Sequence, residues 1–371
     1  MKNCIPAALA IAVMTAPAIA RDTEPESVDA ESIWITSIAP LGEGNFVAGS
    51  ATGLLLRPGT VSKFSGSDPS QLEPLYEHPA AVWTVATSSD AGLIASADYK
   101  GNLVIYEMGS GQAKTFDQAL ERWCQKVIFS PDDQTVVAGN ESGKLFTWSV
   151  ADSKVSKSVE LTKASITSLA FSPSGDKLAV TDGDGIVHVM SWPELESKGV
   201  IPVGEETAWC VAFQNESSMI VGSGDRKLYR VDSAVAAPPK ETTPEEKKEA
   251  EKAKSAKESD KESDEEDGPE KEEQATPTQP GVEMIAEGTD WITRIAVSSD
   301  GQIAASEVSG KIHFASGGSV TTIGADSGVW AICFGSPGRL LVGTRKNGIV
   351  SAGQQWAWNT SESASSDEDS E

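Results

Sequence analysis

The sequence predicts an all-β fold: seven four-stranded sheets arranged in a ring, a seven-bladed β-propeller. Three observations predict it. One strand–turn–strand–turn–strand pattern occurs in seven copies, most neighbouring copies start roughly 40 residues apart, and turn-forming residues fall at the same two places in each copy. A unit of this size cannot cover both faces of its own sheet, so the copies must stack, and stacking in a ring leaves only short edges.

The copies begin WITSIAPLGEGNFVAGS at Trp34, WTVATSSDAGLIASAD at Trp83, WCQKVIFSPDDQTVVAGN at Trp123 and ITSLAFSPSGDKLAVTD at Ile166. The remaining three begin WCVAFQNESSMIVGS at Trp209, WITRIAVSSDGQIAASE at Trp291 and WAICFGSPGRLLVGT at Trp330. SPDDQ, SPSGD and SSDGQ turn the first strand into the second, and YKG, ESG, GDG and KNG turn the second into the third. A fourth strand is expected in LEPLYEH, KSVELT and VEMIAE. Ala39, Ala86, Ala170, Ala212 and Ala296 recur just before the end of the first strand. Small residues there place that strand innermost, where blades converge.

The FSPDD and FSPSG turns, the segments LAVTDGDGIVHV and VVAGNESGKLFTW, and the period resemble WD40-repeat proteins, over roughly residues 30 to 358. The resemblance implies a seven-bladed propeller of WD40 type that works as a binding platform. There are departures. The Gly-His that opens typical repeats survives only as Glu77-His78, and Trp148 and Trp192 are followed by Ser149 and Pro193 rather than Asp. The Asp-His-Ser-Trp hydrogen-bond tetrad of such blades is therefore not expected in its usual form. For ring closure, GQQWAWN near the C-terminus and Ser27 to Ile33 compete as the missing outer strand of blade seven.

Residues 1–20, MKNCIPAALAIAVMTAPAIA, carry a lysine, an apolar stretch and a small-residue end. That is the pattern of a secretory signal cleaved near Ala20, which predicts an exported, periplasmic or secreted, bacterial-type chain. An acidic segment, 21–32, follows it, and no later stretch is apolar and long enough to span a bilayer. With 55 acidic against 30 basic residues, the formal net charge is −25. That argues against a nucleic-acid partner, since phosphates are gripped by Lys and Arg.

Much of the acid lies in the tail, 359–371, and in an insertion at 234–281 inside blade five. Both are expected to be disordered, since they offer almost no apolar surface to offset the entropy of ordering. The insertion reads either as a solvated spacer or as a polyanionic arm for cations or a basic partner. Cys124, Cys210 and Cys333 sit in apolar strand contexts and are expected as small buried hydrophobes, with no zinc-type spacing.

Catalytic chemistry is thin, and no cofactor or metal is expected. His78, His188 and His313 fall in different blades with no shared motif, and His188 and His313, each in a third strand, read as ordinary strand residues rather than ligands. Asp182-Gly-Asp184-Gly is better explained as a hairpin turn than as a calcium loop. No nucleophile elbow, zinc-protease motif or phosphate loop is present.

The tryptophans say more. Counting back from the last residue of each first strand (Pro40, Thr87, Phe129, Phe171, Phe213, Val297, Phe334), Trp34, Trp123 and Trp291 stand six residues before it. Trp83, Trp209 and Trp330 stand four before it. Both offsets are even, so strict alternation sends all six rings to one side, towards one mouth of the channel. Arg122 and Arg294 flank two of them and are placed to orient an acidic group. The competing reading is that these indoles pack between blades. The expected function is a monomeric, non-catalytic scaffold that grips a protein or peptide through this Trp-rich face. Small-molecule or glycan recognition in the mouth is the alternative, and a propeller hydrolase the third.

Overall fold

The computed structural model describes residues 33–53, 55–238, 279–316, 318–324, 327–335 and 339–352. They form seven antiparallel sheets, six of four strands and one of three, each built from consecutive strands paired in chain order. The inner strands are Trp34–Gly42, Val82–Thr87, Cys124–Phe129, Ile166–Phe171, Ala208–Phe213, Ile292–Val297 and Val329–Phe334. Each packs against the inner strand of the next blade, and the seventh packs back on the first. The all-β, seven-bladed ring is thus the one the repeats predict. The three expected fourth strands are present as Asp68–His78, Lys154–Glu160 and Val282–Glu287.

The core is distributed between blades rather than gathered at one centre. One apolar cluster joins Leu103 and Ile105 of blade two to Val127, Phe146 and Trp148 of blade three, and another joins Val187 and Val189 of blade four to Val211 and Val221 of blade five. Blades one and seven are joined the same way, by Ile35, Phe46, Ala331, Leu341 and Ile349. Glycine permits the closest of these contacts. A Cβ on Gly343 of blade seven would stand 2.5 Å from Ile35 Cγ2 of blade one, and one on Gly139 of blade three 2.2 Å from Ile166 Cγ2 of blade four. Both are inside any real carbon contact, so the missing side chain is what lets neighbouring blades seat.

Side-chain packing therefore closes the ring between blades seven and one. GQQWAWN and nearly all of the Ser27 to Ile33 stretch lie outside the described residues, as do residues 1–32, 359–371 and 239–278. The insertion is narrower than the 234–281 expected from composition. Ser233–Val235 form a 3-10 turn whose Ala234 N–H is accepted by the Asp232 side chain at 2.9 Å. Ala237 then pairs with Val200 on the outer strand of blade four, at 2.8 and 3.1 Å. Val235 and Ala236 join the apolar cluster between blades four and five, and Asp232 N–H donates to Gly281 O at 2.8 Å. The two apolar side chains have a groove to fill, which a count of apolar residues over the whole insertion averages away.

Candidate functional site

Every inner strand carries a bulge at the same place. In pairing with the second strand, one residue is skipped in each blade: Thr36, Trp83, Gln125, Thr167, Trp209, Thr293 and Trp330. A bulge breaks the two-residue alternation and re-aims the side chains around it. In the first six blades the bulge residue and the one after it both line the central channel, as Trp83 does with Thr84 and Thr293 with Arg294. The alternation assumed from the even offsets of the tryptophans thus does not run unbroken through these strands.

The six indoles nevertheless meet, and by a rule. Each indole at a bulge contacts the indole at the entry of the next blade. Trp83 and Trp123 meet edge-on with ring centroids 5.0 Å apart, Trp209 and Trp291 stack at 5.6 Å, and Trp330 and Trp34 stack at 6.3 Å. Trp83 also meets Trp330 edge-on at 5.9 Å, so four rings form one arc across blades seven, one, two and three. Trp83 of the arc and Trp209 of the separate pair line the same channel.

Their exposure differs sharply. Trp83 is 9% exposed and is largely inter-blade packing, whereas Trp291 is 51% exposed. The indole N–H groups of Trp83, Trp123, Trp209 and Trp330 are buried with no hydrogen-bond partner among the described residues. Two residues that the sequence did not single out extend the arc. The Arg345 guanidinium lies 4.7 Å over the Trp34 ring, a cation–π distance, and Tyr99 leans on Trp123 at 5.3 Å.

The two arginines expected to flank the indoles stand in different surroundings. Arg122 is an exposed surface residue whose Nη1 lies 3.5 Å from Glu141 Oε1. Its charge is already answered by a neighbour, at an exposure where such pairs contribute little. Arg294 follows the blade-six bulge and points into the channel, where its Nε donates to Trp330 O and its Nη1 to Thr293 O, each at 2.8 Å. It belongs to a belt of residues that tie each blade to the next. Ser37 Oγ accepts from Val85 N–H at 3.1 Å, Thr84 Oγ1 accepts from Val127 N–H at 3.2 Å, and Cys210 Sγ reaches Ile292 O at 3.7 Å.

His188 and His313 sit in third strands, as expected, and His78 ends an outer strand. Each is buried against the carboxylate that opens the turn between second and third strands. His188 Nε2 lies 2.8 Å from Asp182 Oδ2, and His313 Nε2 2.7 Å from Glu307 Oε1. His78 Nδ1 lies 3.3 Å from Asp98 Oδ2 and its Nε2 2.7 Å from Ser96 Oγ, so the Asp, His and Ser of the four-residue network are present at blade two. Asp98 also accepts from Lys100 N–H, Asn102 N–H and Asn102 Nδ2 at 2.8 to 3.1 Å.

Burial raises the Asp98 carboxyl, but the bonds from His78 and Asn102 outweigh it and hold the group below the usual range. Glu307 is held down in the same way, burial being outweighed by Thr289, Ser309 and His313. These are structural braces in three separate blades. Asp182 likewise caps its own turn, accepting from Asp184 and Ile186 N–H at 3.0 and 3.1 Å. Among the described residues no three metal-binding side chains converge. The thiols of Cys124, Cys210 and Cys333 are pushed up to about 12 by burial.

This geometry defines a seven-bladed β-propeller with a Trp-lined hub. Among solved structures the chain is similar to the WD40 beta propeller domain of Doa1, with a TM-score of 0.63 over 87% of this chain and 93% of that one, at 12% identity. The family profile described as "WD domain, G-beta repeat" matches residues 155–190, the fourth blade with its approach. The solved structure matches in fold, and the profile match is confined to a single repeat.

Three curated relatives are similar over part of their length. WD repeat-containing protein SL1-17 of Schistosoma mansoni is 26% identical over 44% of this chain and 54% of its own. The tRNA (guanine-N(7)-)-methyltransferase non-catalytic subunit of Caenorhabditis elegans is 28% identical over 31% of this chain and 30% of its own. Telomerase protein component 1 of Mus musculus is 25% identical over 40% of this chain and 6% of its own. The chain thus spans about half or less of the length of the curated relatives it matches. Among the described residues no helix is long and apolar enough to cross a membrane.

Proposed function

We propose that this propeller is a non-catalytic, monomeric scaffold that holds a protein or peptide partner across the channel mouth where the indoles pair. The observation that carries the reading is chemical. Half-buried indole faces and one exposed ring at Trp291 are linked by ring contacts to Trp83 and Trp209, which line the channel, and four indole N–H groups have no acceptor among the described residues. A buried indole N–H ordinarily finds a partner, and aromatic anchors of this kind dominate protein interfaces. A peptide laid over them supplies apolar side chains for the indole faces. The channel itself, about 80 Å3, is well below the roughly 300 Å3 at which small-molecule pockets begin. That favours a partner lying across the mouth over one held within the channel.

Immobilised wild-type protein and a folded Trp34→Ala/Trp291→Ala variant should capture different sets of partners from the native source. Equal capture of every partner by the two would sink the reading. Export remains part of the proposal and rests on the pattern of residues 1–20. N-terminal sequencing of the native protein should begin at Arg21, and a start at Met1 would refute cleavage.

A further inference from the structure

Among the described residues, the channel lining holds two cations and no carboxylate. Lys126 and Arg294 each follow the bulge of their inner strand, in blades three and six, and both line the hub cavity of about 80 Å3. The rest of that lining, among the described residues, is hydroxyl, indole, amide, thiol and aliphatic. This is notable in a chain of 55 acidic and 30 basic residues. Arg294 gives two of its donors to backbone carbonyls and keeps the others, and the Lys126 ammonium has no ion pair or hydrogen bond among the described residues. Burial, and then the nearby Arg294, hold the Lys126 ammonium below its ordinary value, the direction expected of a cation lacking a counter-charge.

Two further groups point to an occupant. Thr293 Oγ1 and Trp83 Nε1, on side chains 5% and 9% exposed, belong to residues lining the same cavity and have no hydrogen-bond partner among the described residues. Buried polar groups are almost always satisfied, and a site with several orphaned donors is short of an acceptor. At about 10 to 15 Å3 per water, the cavity has room for several waters or one small tetrahedral ion, and none for a nucleotide.

We propose that the hub is an anion site, which takes one small oxyanion of the carboxylate, sulfate or phosphate type between Lys126 and Arg294, with Thr293 and Trp83 as further donors. The oxyanion arrives either free or as the acidic side chain of a bound peptide. The site does not rest on the reading of the mouth, because an ion at the hub needs no partner across the indoles.

The test measures the melting temperature and tryptophan fluorescence of the full chain, at constant ionic strength set with chloride. One arm titrates inorganic phosphate and sulfate, and the other a Glu-containing peptide against its Gln counterpart. A response to the ions in wild type that is at least about tenfold weaker in Lys126→Gln and kept in Lys126→Arg supports a free anion. A response to the Glu peptide alone, with the same dependence on Lys126, supports the tethered one. No response in either arm, or a response unchanged in Lys126→Gln, overturns the proposal. Trp291→Ala should keep the ion response, so that loss of partner capture and loss of the anion site are read separately.

Discussion

The Trp209 and Trp291 rings lie 5.6 Å apart at an interplanar angle of 25°, the bulge residue of blade five stacked on the entry residue of blade six. The same step joins Trp83 to Trp123 and Trp330 to Trp34. A shared geometry does not mean a shared role, since burial separates the rings that seal the hub from those that face out.

Trp83→Ala should therefore cost the fold about 3 to 5 kcal/mol, the range for deleting a core aromatic. Trp291→Ala, at a ring 51% exposed, should cost well under that. Chemical denaturation of the two variants measures the contrast. Equal losses would mean that all six indoles are packing and the mouth carries none for binding.

Asp98 should prove to be a brace of blade two. Asp98→Ala orphans His78 Nδ1, Asn102 Nδ2 and two backbone N–H groups, each at about 1 to 3 kcal/mol if left buried and unsatisfied. Asp98→Asn, which keeps an acceptor, should lose less, and similar losses for the two would contradict this account.

Stability should fall in acid through the same groups. The folded carboxyls of Asp98 and Glu307 are depressed, so their contribution is complete above the unfolded values of about 3.9 and 4.3 and is lost as pH falls through the lower folded values. The denaturation midpoint, measured from pH 7 to 3, should hold to about pH 4.5 and then drop, and Asp98→Asn should flatten part of the drop. An unaltered slope in that variant would show that other groups carry the acid sensitivity.

Replacing residues 239–278 with a short Gly-Ser linker should leave the melting temperature within a few degrees, because the Asp232 to Gly281 contact already brings the two ends together. Extending the replacement back to Ser233 should cost measurably more, since it removes Val235, Ala236 and the Ala237–Val200 bridge. Calorimetry on the pair tests this, and equal melting temperatures would show that 233–238 contribute nothing.

Cys124, Cys210 and Cys333 should resist alkylation in the native protein at pH 8, because thiols pushed up to about 12 hold almost no thiolate there. Mass spectrometry should find them labelled only after unfolding. Rapid native labelling would show that the inner strands open.

The fold was legible because its causes are local. Turn chemistry such as SPDDQ and YKG, and apolar alternation repeated seven times, need no knowledge of what each strand touches. The indole positions were legible as offsets along one strand. The brace of His78 and Asp98 was not, since the two lie 20 residues apart in different blades and meet only when blade one hands the chain to blade two. Nor was Arg345 over Trp34, a contact between the last blade and the first.

What the sequence by itself determined was the number of blades, their strand order and which residues occupy each inner strand, since period and turn residues are properties of a short stretch of chain. Where those residues point was decided by the tertiary structure. A bulge exists only as a mismatch between two paired strands, and it is the bulge before Arg294 that turns this cation into the channel instead of leaving it beside Trp291. Burial was decided there too. Trp83 and Trp291 look alike in sequence, and only the closing of the ring covers one and leaves the other in water.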